Sequence, residues 1–168
     1  MKIVLSTPFR QVTSALLLIL TGLTGFWFGE GFRPLISTPV LLAFVVLPLA
    51  TAGLAPHRDG FHVRITLLAA ALLFIGAWSA GQTMAERAFQ DCLQRAEEVR
   101  LALRSFRLQN GHFPAELADL TMVLPGKRLL HPPLLSYQQQ EQNYRLSFAN
   151  ASVRHLANAR YPFVLAEP

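Results

Sequence analysis

The uncharged stretch Ile65–Gly81 leads directly into a charged, patterned segment, Ala85–Asn110, and neither contains a proline. A helix begun in the first has no signal to stop before Asn110-Gly111, where a left-handed glycine ends it. The residues between therefore describe one helix that changes solvent part-way, with Gly81 as the weak point at the join. Unbroken, residues 64–109 would form a rod on the order of 70 Å at 1.5 Å per residue. Such a helix ties an apolar anchor to a polar domain, and every other feature has to fit that arrangement.

The apolar half holds three charge-free runs, Val12–Gly29, Leu35–Ala55 and Ile65–Gly81. Each is close to the roughly 20 residues that cross about 30 Å of hydrocarbon. The sequence thus predicts residues 1–82 as a three-helix transmembrane region, with spans at about 12–29, 35–55 and 64–82, packed as antiparallel neighbours. Lys2 and Arg10 before the first run resemble the basic start of a signal peptide. The apolar run, however, continues through Phe26-Trp27-Phe28 instead of ending at a small-residue site, which favours a retained span. Pro39 and Pro48 fall in the second run, where membrane helices tolerate a kink.

Charge follows the same division. Residues 1–82 contain Glu30 and Asp59 against Lys2, Arg10, Arg33, Arg58 and Arg64, whereas residues 83–168 contain eight acids and ten bases. The net charge of +5 is thus spread over the flanks of apolar runs and a mixed-charge segment, not gathered on one face. That argues against a nucleic-acid partner despite the basic balance. The basic residues beside the spans place the N-terminus inside and residues 83–168 on the periplasmic side of a cell inner membrane.

Within Ala85–Asn110, the residues Ala85, Phe89, Cys92, Ala96, Val99, Leu103 and Phe106 recur at alternating steps of four and three. This is one apolar stripe of a helix. Asp91–Arg95 and Glu97–Arg100 are spaced to pair across single turns. A strict heptad also fits a coiled-coil dimer seam, so a homo-oligomer stays open; Ala85, Cys92 and Ala96 are small for such a seam, and packing on a sheet of the same chain fits them better. Cys92, the one cysteine, belongs to the stripe and reads as a packed small hydrophobe.

After Gly111, Pro114 and Glu116 suit the first turn of a short helix that buries Leu117 and Leu120. Leu124-Pro125-Gly126-Lys127 then makes a turn. Tyr144, Leu146 and Phe148 alternate with Arg145 and Ser147, the pattern of a half-buried strand. Leu134–Tyr137, Val153–Leu156 and Pro162–Leu165 are further strand candidates, and Gln138–Asn143 reads as a hairpin loop. Residues 83–168 are therefore expected to form a small α+β domain, a long N-terminal helix packed on a three- or four-stranded antiparallel sheet.

A membrane helix continuing into an amphipathic helix, an Asn-Gly-aromatic-Pro-x-x-Leu-x-x-Leu sequence at 110–120 and a Tyr-x-Leu-x-Phe strand together resemble the type IV pilin-like fold. The likeness is greatest to type II secretion major pseudopilins, and Leu101–Leu120 carries most of it. The resemblance covers residues 65–168 and implies that Phe113-Pro114 packs the following segment under the helix, with no chemistry at its polar residues. Two features depart from that family. It has one membrane helix where this chain has three. Gly25-Phe26-Trp27-Phe28-Gly29-Glu30 carries the letters of its peptidase site, but lies after an apolar span and before Arg33-Pro34, so no processing is expected.

Phe106, Gly111, Phe113, Pro114, Leu117, Leu120, Tyr144, Leu146 and Phe148 are thus structural motif residues, and no catalytic, cofactor or metal set is expected. His57, Asp59 and His62 come nearest to a metal cluster, yet lack ligand spacing and read as a polar interhelical loop. His112, His131 and His155 are scattered. The span hydroxyls of Ser14, Thr21, Thr24, Ser37, Thr38 and Thr51 suit back-bonding or helix bridging. Asn150-Ala151-Ser152 matches a glycosylation sequon, a frequent three-letter pattern. The expected function is non-enzymatic protein–protein interaction at the bilayer, with other membrane or periplasmic proteins as partners. The alternatives are a subunit or regulator of an unrelated membrane complex, or a membrane enzyme using the 57–64 loop.

Overall fold

The computed structural model describes residues 7–31, 61–140, 142–150 and 152–166, together with residues 39, 42–43, 45–46 and 50. Helix α1 spans Thr7–Glu30 and helix α2 spans Phe61–Asn110 without interruption. Four strands follow: β1 (Ser136–Gln140), β2 (Asn143–Ala149), β3 (Arg154–Asn158) and β4 (Val164–Ala166). They form one antiparallel meander in the order β1-β2-β3-β4. Contacts divide the chain into two compact units, Met1–Thr83 and Met84–Pro168.

In the first unit, α1 and the N-terminal part of α2 meet through glycines. A Cβ added at Gly25 would lie 2.7 Å from the Phe74 carbonyl oxygen and 3.3 Å from Ala77 Cβ. One at Gly29 would collide with the Trp78 carbonyl, and one at Gly81 with the Phe26 carbonyl. Close backbone approach of this kind needs small residues, as in the membrane motif of glycines four apart. Position numbers rise together along the contact, from Gly22 beside Leu73 to Gly29 beside Gln82. These two helices therefore run parallel, the direction that the first and third of three alternating spans share.

Both helices are long and apolar enough to cross a membrane. Leu16, Ile19, Leu20 and Leu23 of α1 and Ile65, Leu68 and Leu72 of α2 are exposed, as lipid-facing side chains would be. The second expected span, 35–55, lies outside the described residues except for Pro39, Leu42, Ala43, Val45, Val46 and Ala50, each helical. Thr21 and Thr24 hydroxyls donate to the carbonyls of Leu17 and Leu20, both at 2.7 Å. They serve the helix itself. Helix α2 starts earlier than the uncharged run, at Phe61.

In the second unit, the apolar stripe of α2 forms the core with one face of the sheet. Ala85, Cys92, Val99 and Leu103 are fully buried, and Phe89 and Ala96 nearly so. Phe106, the last residue of the stripe, is only half-buried and rests edge-on to His112, ring centres 6.0 Å apart. Opposite the helix, Tyr144, Leu146 and Phe148 are buried while Arg145 between them is exposed. Register places Leu146 beside Tyr137 and Ala157, and Phe148 beside His155. Phe148 stacks flat on His155 at 4.7 Å, and Phe89 of α2 meets it edge-on at 5.7 Å.

Two elements differ from the sequence reading. Gln138–Gln140 are not loop; they pair with Asn143, Tyr144 and Arg145 as part of β1. The short helix after Pro114 is only a 3-10 turn, Leu117–Asp119. Its Leu120 is buried, but Leu117 is half-buried. Pro114 lies outside this turn, and its carbonyl accepts from the Tyr137 hydroxyl at 2.7 Å.

Candidate functional site

The C-terminal end of α2 builds a concave, basic surface in the second unit. Arg100, Arg104 and Arg107 line it from the helix, at i, i+4 and i+7. One helical face carries all three. Arg160 enters from the β3–β4 connection, and Phe113 and Tyr144 supply the floor. The groove encloses about 740 Å³.

Local structure explains how each part is placed. Gly111 ends α2 with φ of +78°, and its N–H donates to the Arg107 carbonyl at 2.8 Å. A Cβ there would meet nothing within 4 Å, so the glycine serves the backbone conformation and not a close contact. The chain then turns Phe113 under the helix, 4.8 Å edge-on from the Tyr144 ring. Gln139 Nε2 donates to the Phe113 carbonyl at 3.1 Å. These contacts join the Phe113-Pro114 turn to β1 and β2.

Arg160 is placed by asparagines. Asn158 Oδ1 accepts from the N–H groups of Arg160 and Tyr161, both at 2.8 Å. Asn143 Oδ1 accepts from Tyr144 N–H at 2.8 Å and from Ala159 N–H at 3.2 Å. The β3–β4 connection is thereby tied to the start of β2, which holds Arg160 at the groove.

The four guanidiniums differ in freedom. Arg107 lies over the Phe113 ring at 4.9 Å, an attraction that keeps the guanidinium N–H edges available. Arg100 Nε donates to Glu97 at 2.6 Å, a hydrogen bond that raises its already high pKa further. Among the described residues, Arg104 and Arg160 form no ion pair. Tyr144, 2% exposed, has its pKa raised by burial, with Arg100 opposing.

A second constellation is structural. Gly126, with φ of +77°, packs so closely on Cys92 that a Cβ would collide with its sulfur. Gly126 N–H donates to Asp91 Oδ2 at 2.9 Å, and Arg95 donates to the Val123 carbonyl at 2.8 Å. Burial first, and Asp91 second, push the Cys92 thiol up to about 12. It is a protonated packing group at neutral pH.

The sequence-stripe and turn residues come together in this unit: Phe113, Pro114 and Tyr144 at the groove end, Leu146 and Phe148 under the middle of the helix. Phe106 and Leu117 lie at its margins. Arg104 and Arg107 are exposed on the helix, and Arg160, which completes the groove with them, lies more than fifty positions away. Of the polar loop near the first unit, His57 and Asp59 lie outside the described residues, and His62 is an exposed helical residue of α2. Among the described residues, no three His, Cys, Asp or Glu side chains cluster as a metal site. The Gly25–Glu30 letters coincide with the glycine crossing of α1 on α2, where Glu30 is fully buried. No family model, curated protein or solved structure matches the chain.

Proposed function

We propose that the chain is a non-enzymatic, three-span inner-membrane protein whose periplasmic C-terminal unit works by binding another protein. Its closest functional analogy is an accessory or divergent component of a type IV pilus or type II secretion system. The observation that carries this reading is α2, which passes unbroken from a segment long enough to cross a bilayer into the core helix of an α+β unit.

The parallel contact of α1 and α2 supports three spans. Parallel neighbours in a bilayer require the intervening chain to recross it, and the uncharged run 35–55 has the length for that. An odd number of spans puts the termini on opposite sides. The pilin analogy rests on residues 101–120 and on the helix-on-meander arrangement. Fold alone does not give function, so the analogy is kept to the mode of action, docking through a folded head.

The test is photo-crosslinking in cells, on the full chain, with the reactive residue placed at Arg104 in the groove or at Leu156 on the outer sheet face. Membranes washed with carbonate should retain the chain, and one of the two positions should give an adduct with a membrane or periplasmic protein. His57→Ala and His62→Ala should leave cellular function intact. A folded chain that gives no protein adduct at either face, and loses function in the His variants, would replace this reading with a membrane enzyme using the 57–64 loop.

A further inference from the structure

We propose that the arginine groove is the docking site for an acidic polypeptide segment of the partner, an extended run bearing Asp or Glu at alternate positions. This rests on the protein-interaction reading above and names the chemistry of the partner.

Charge complementarity selects the class of ligand. Arg100, Arg104, Arg107 and Arg160 line one concave surface, and the only acid paired with any of them among the described residues is Glu97 on Arg100. The helix end accounts for Arg107, since cations offset the dipole in the last turn. It does not account for Arg160, which comes from another element and is held there by Asn158 and Asn143.

Spacing selects the form of the ligand. From Arg100 to Arg107 the helix rises about 10 Å, so the charges are strung along the groove and do not converge on one point. A lone phosphate would engage only part of that row. An extended peptide repeats its side chains on one face at about 6.6–6.8 Å, close to the ~6 Å step from Arg100 to Arg104. Arg104, Arg107 and Arg160 can each take a carboxylate through two parallel N–H donors, while Arg100 already gives Nε and Nη2 to Glu97.

The floor argues against single-stranded nucleic acid. Binding there depends on aromatic faces open to stacking bases, but Phe113 and Tyr144 are 3% and 2% exposed. Their faces are already used, Phe113 by Arg107 and Tyr144 by Phe113. A flat anionic membrane surface also fits a recessed groove poorly.

The experiment is fluorescence anisotropy with the full chain in neutral detergent, using a labelled peptide of alternating Glu and Gly. The peptide should bind, weaken steeply as salt is raised, and lose about tenfold in affinity in the double variant Arg104→Ala, Arg160→Ala. Arg145→Ala, Arg154→Ala, on the outer sheet face, should change affinity less than twofold. The alternating Lys-Gly peptide, inorganic phosphate and an oligothymidylate should not compete, and vesicles of anionic lipid should not either.

Equal binding by both double variants, or no peptide binding at low salt, overturns the proposal. So does competition by phosphate, oligothymidylate or vesicles that exceeds the peptide's own affinity, each naming the true ligand class. If the peptide fails while crosslinking still captures a protein through Leu156, the acidic-ligand inference falls and the protein-interaction reading stands. If crosslinking captures no protein at either face, that reading falls as well.

Discussion

Leu103 and Phe106 belong to the same apolar stripe, one turn apart, yet only Leu103 is fully buried. The difference decides what each contributes. Leu103→Ala should cost about 2–5 kcal/mol by leaving a cavity. Phe106→Ala and Leu117→Ala, both half-buried, should cost less than about 2 kcal/mol, because their sites already open to water. Gly126→Ala should cost more than about 1 kcal/mol, since it combines positive φ with a collision on Cys92. All three tyrosines lie in the second unit and both tryptophans in the first, so urea unfolding of the detergent-solubilised chain, read by tyrosine, separates these effects. The pH response is also a residue property. Burial raises Cys92 from a usual 9.0 and Tyr137 from a usual 10.0, each to about 12. A group whose folded pKa is raised contributes stability below its unfolded value and loses it as pH rises through the folded one. Stability of the second unit should therefore fall between about pH 9 and 12, and Cys92→Ala should reduce the slope. A denaturation midpoint unaffected by pH across that window, or native Cys92 alkylating at neutral pH as fast as in urea, would contradict the packing account.

At the scale of elements, periodicity was legible wherever a face is half-buried. The 3.6-residue stripe marked α2, and the alternation of Tyr144, Leu146 and Phe148 marked β2. Only the second part of β1 was hidden, because Gln138–Gln140 are exposed at the sheet edge and no apolar alternation betrays them. After Pro114 the chain makes only the 3-10 turn Leu117–Asp119, shorter than the helix that Pro114 and Glu116 suggest. The groove was half legible: the spacing of Arg100, Arg104 and Arg107 puts them on one face, but no local pattern brings Arg160 to them. The glycine crossing was likewise written in Gly25-x-x-x-Gly29, while its partner Gly81 is set by tertiary contact alone. Backbones meet there, so Gly29→Leu or Gly81→Leu should separate α1 from α2 and markedly lower the thermal inactivation temperature of the detergent-solubilised chain. Gly25→Ala should do so more mildly and leave the protein's size in cells unchanged, even with an active prepilin peptidase. A size shift abolished by Gly25→Ala would instead make this a processed pilin-like subunit.

For the whole molecule, the account depends on an anchor that crosses the bilayer an odd number of times and a folded unit that meets its partner on the far side. The parallel direction of α1 and α2, the charge-free run between them and the passage of α2 from apolar to amphipathic all bear on that single point. Reporter fusions test it most directly. Alkaline phosphatase, active only outside the cytoplasm, should be active when fused after Pro168 and inactive when fused in the His57–His62 loop. Activity at the loop and none after Pro168 would place the arginine groove in the cytoplasm, and remove both the periplasmic assignment and the pilin-like mode of action.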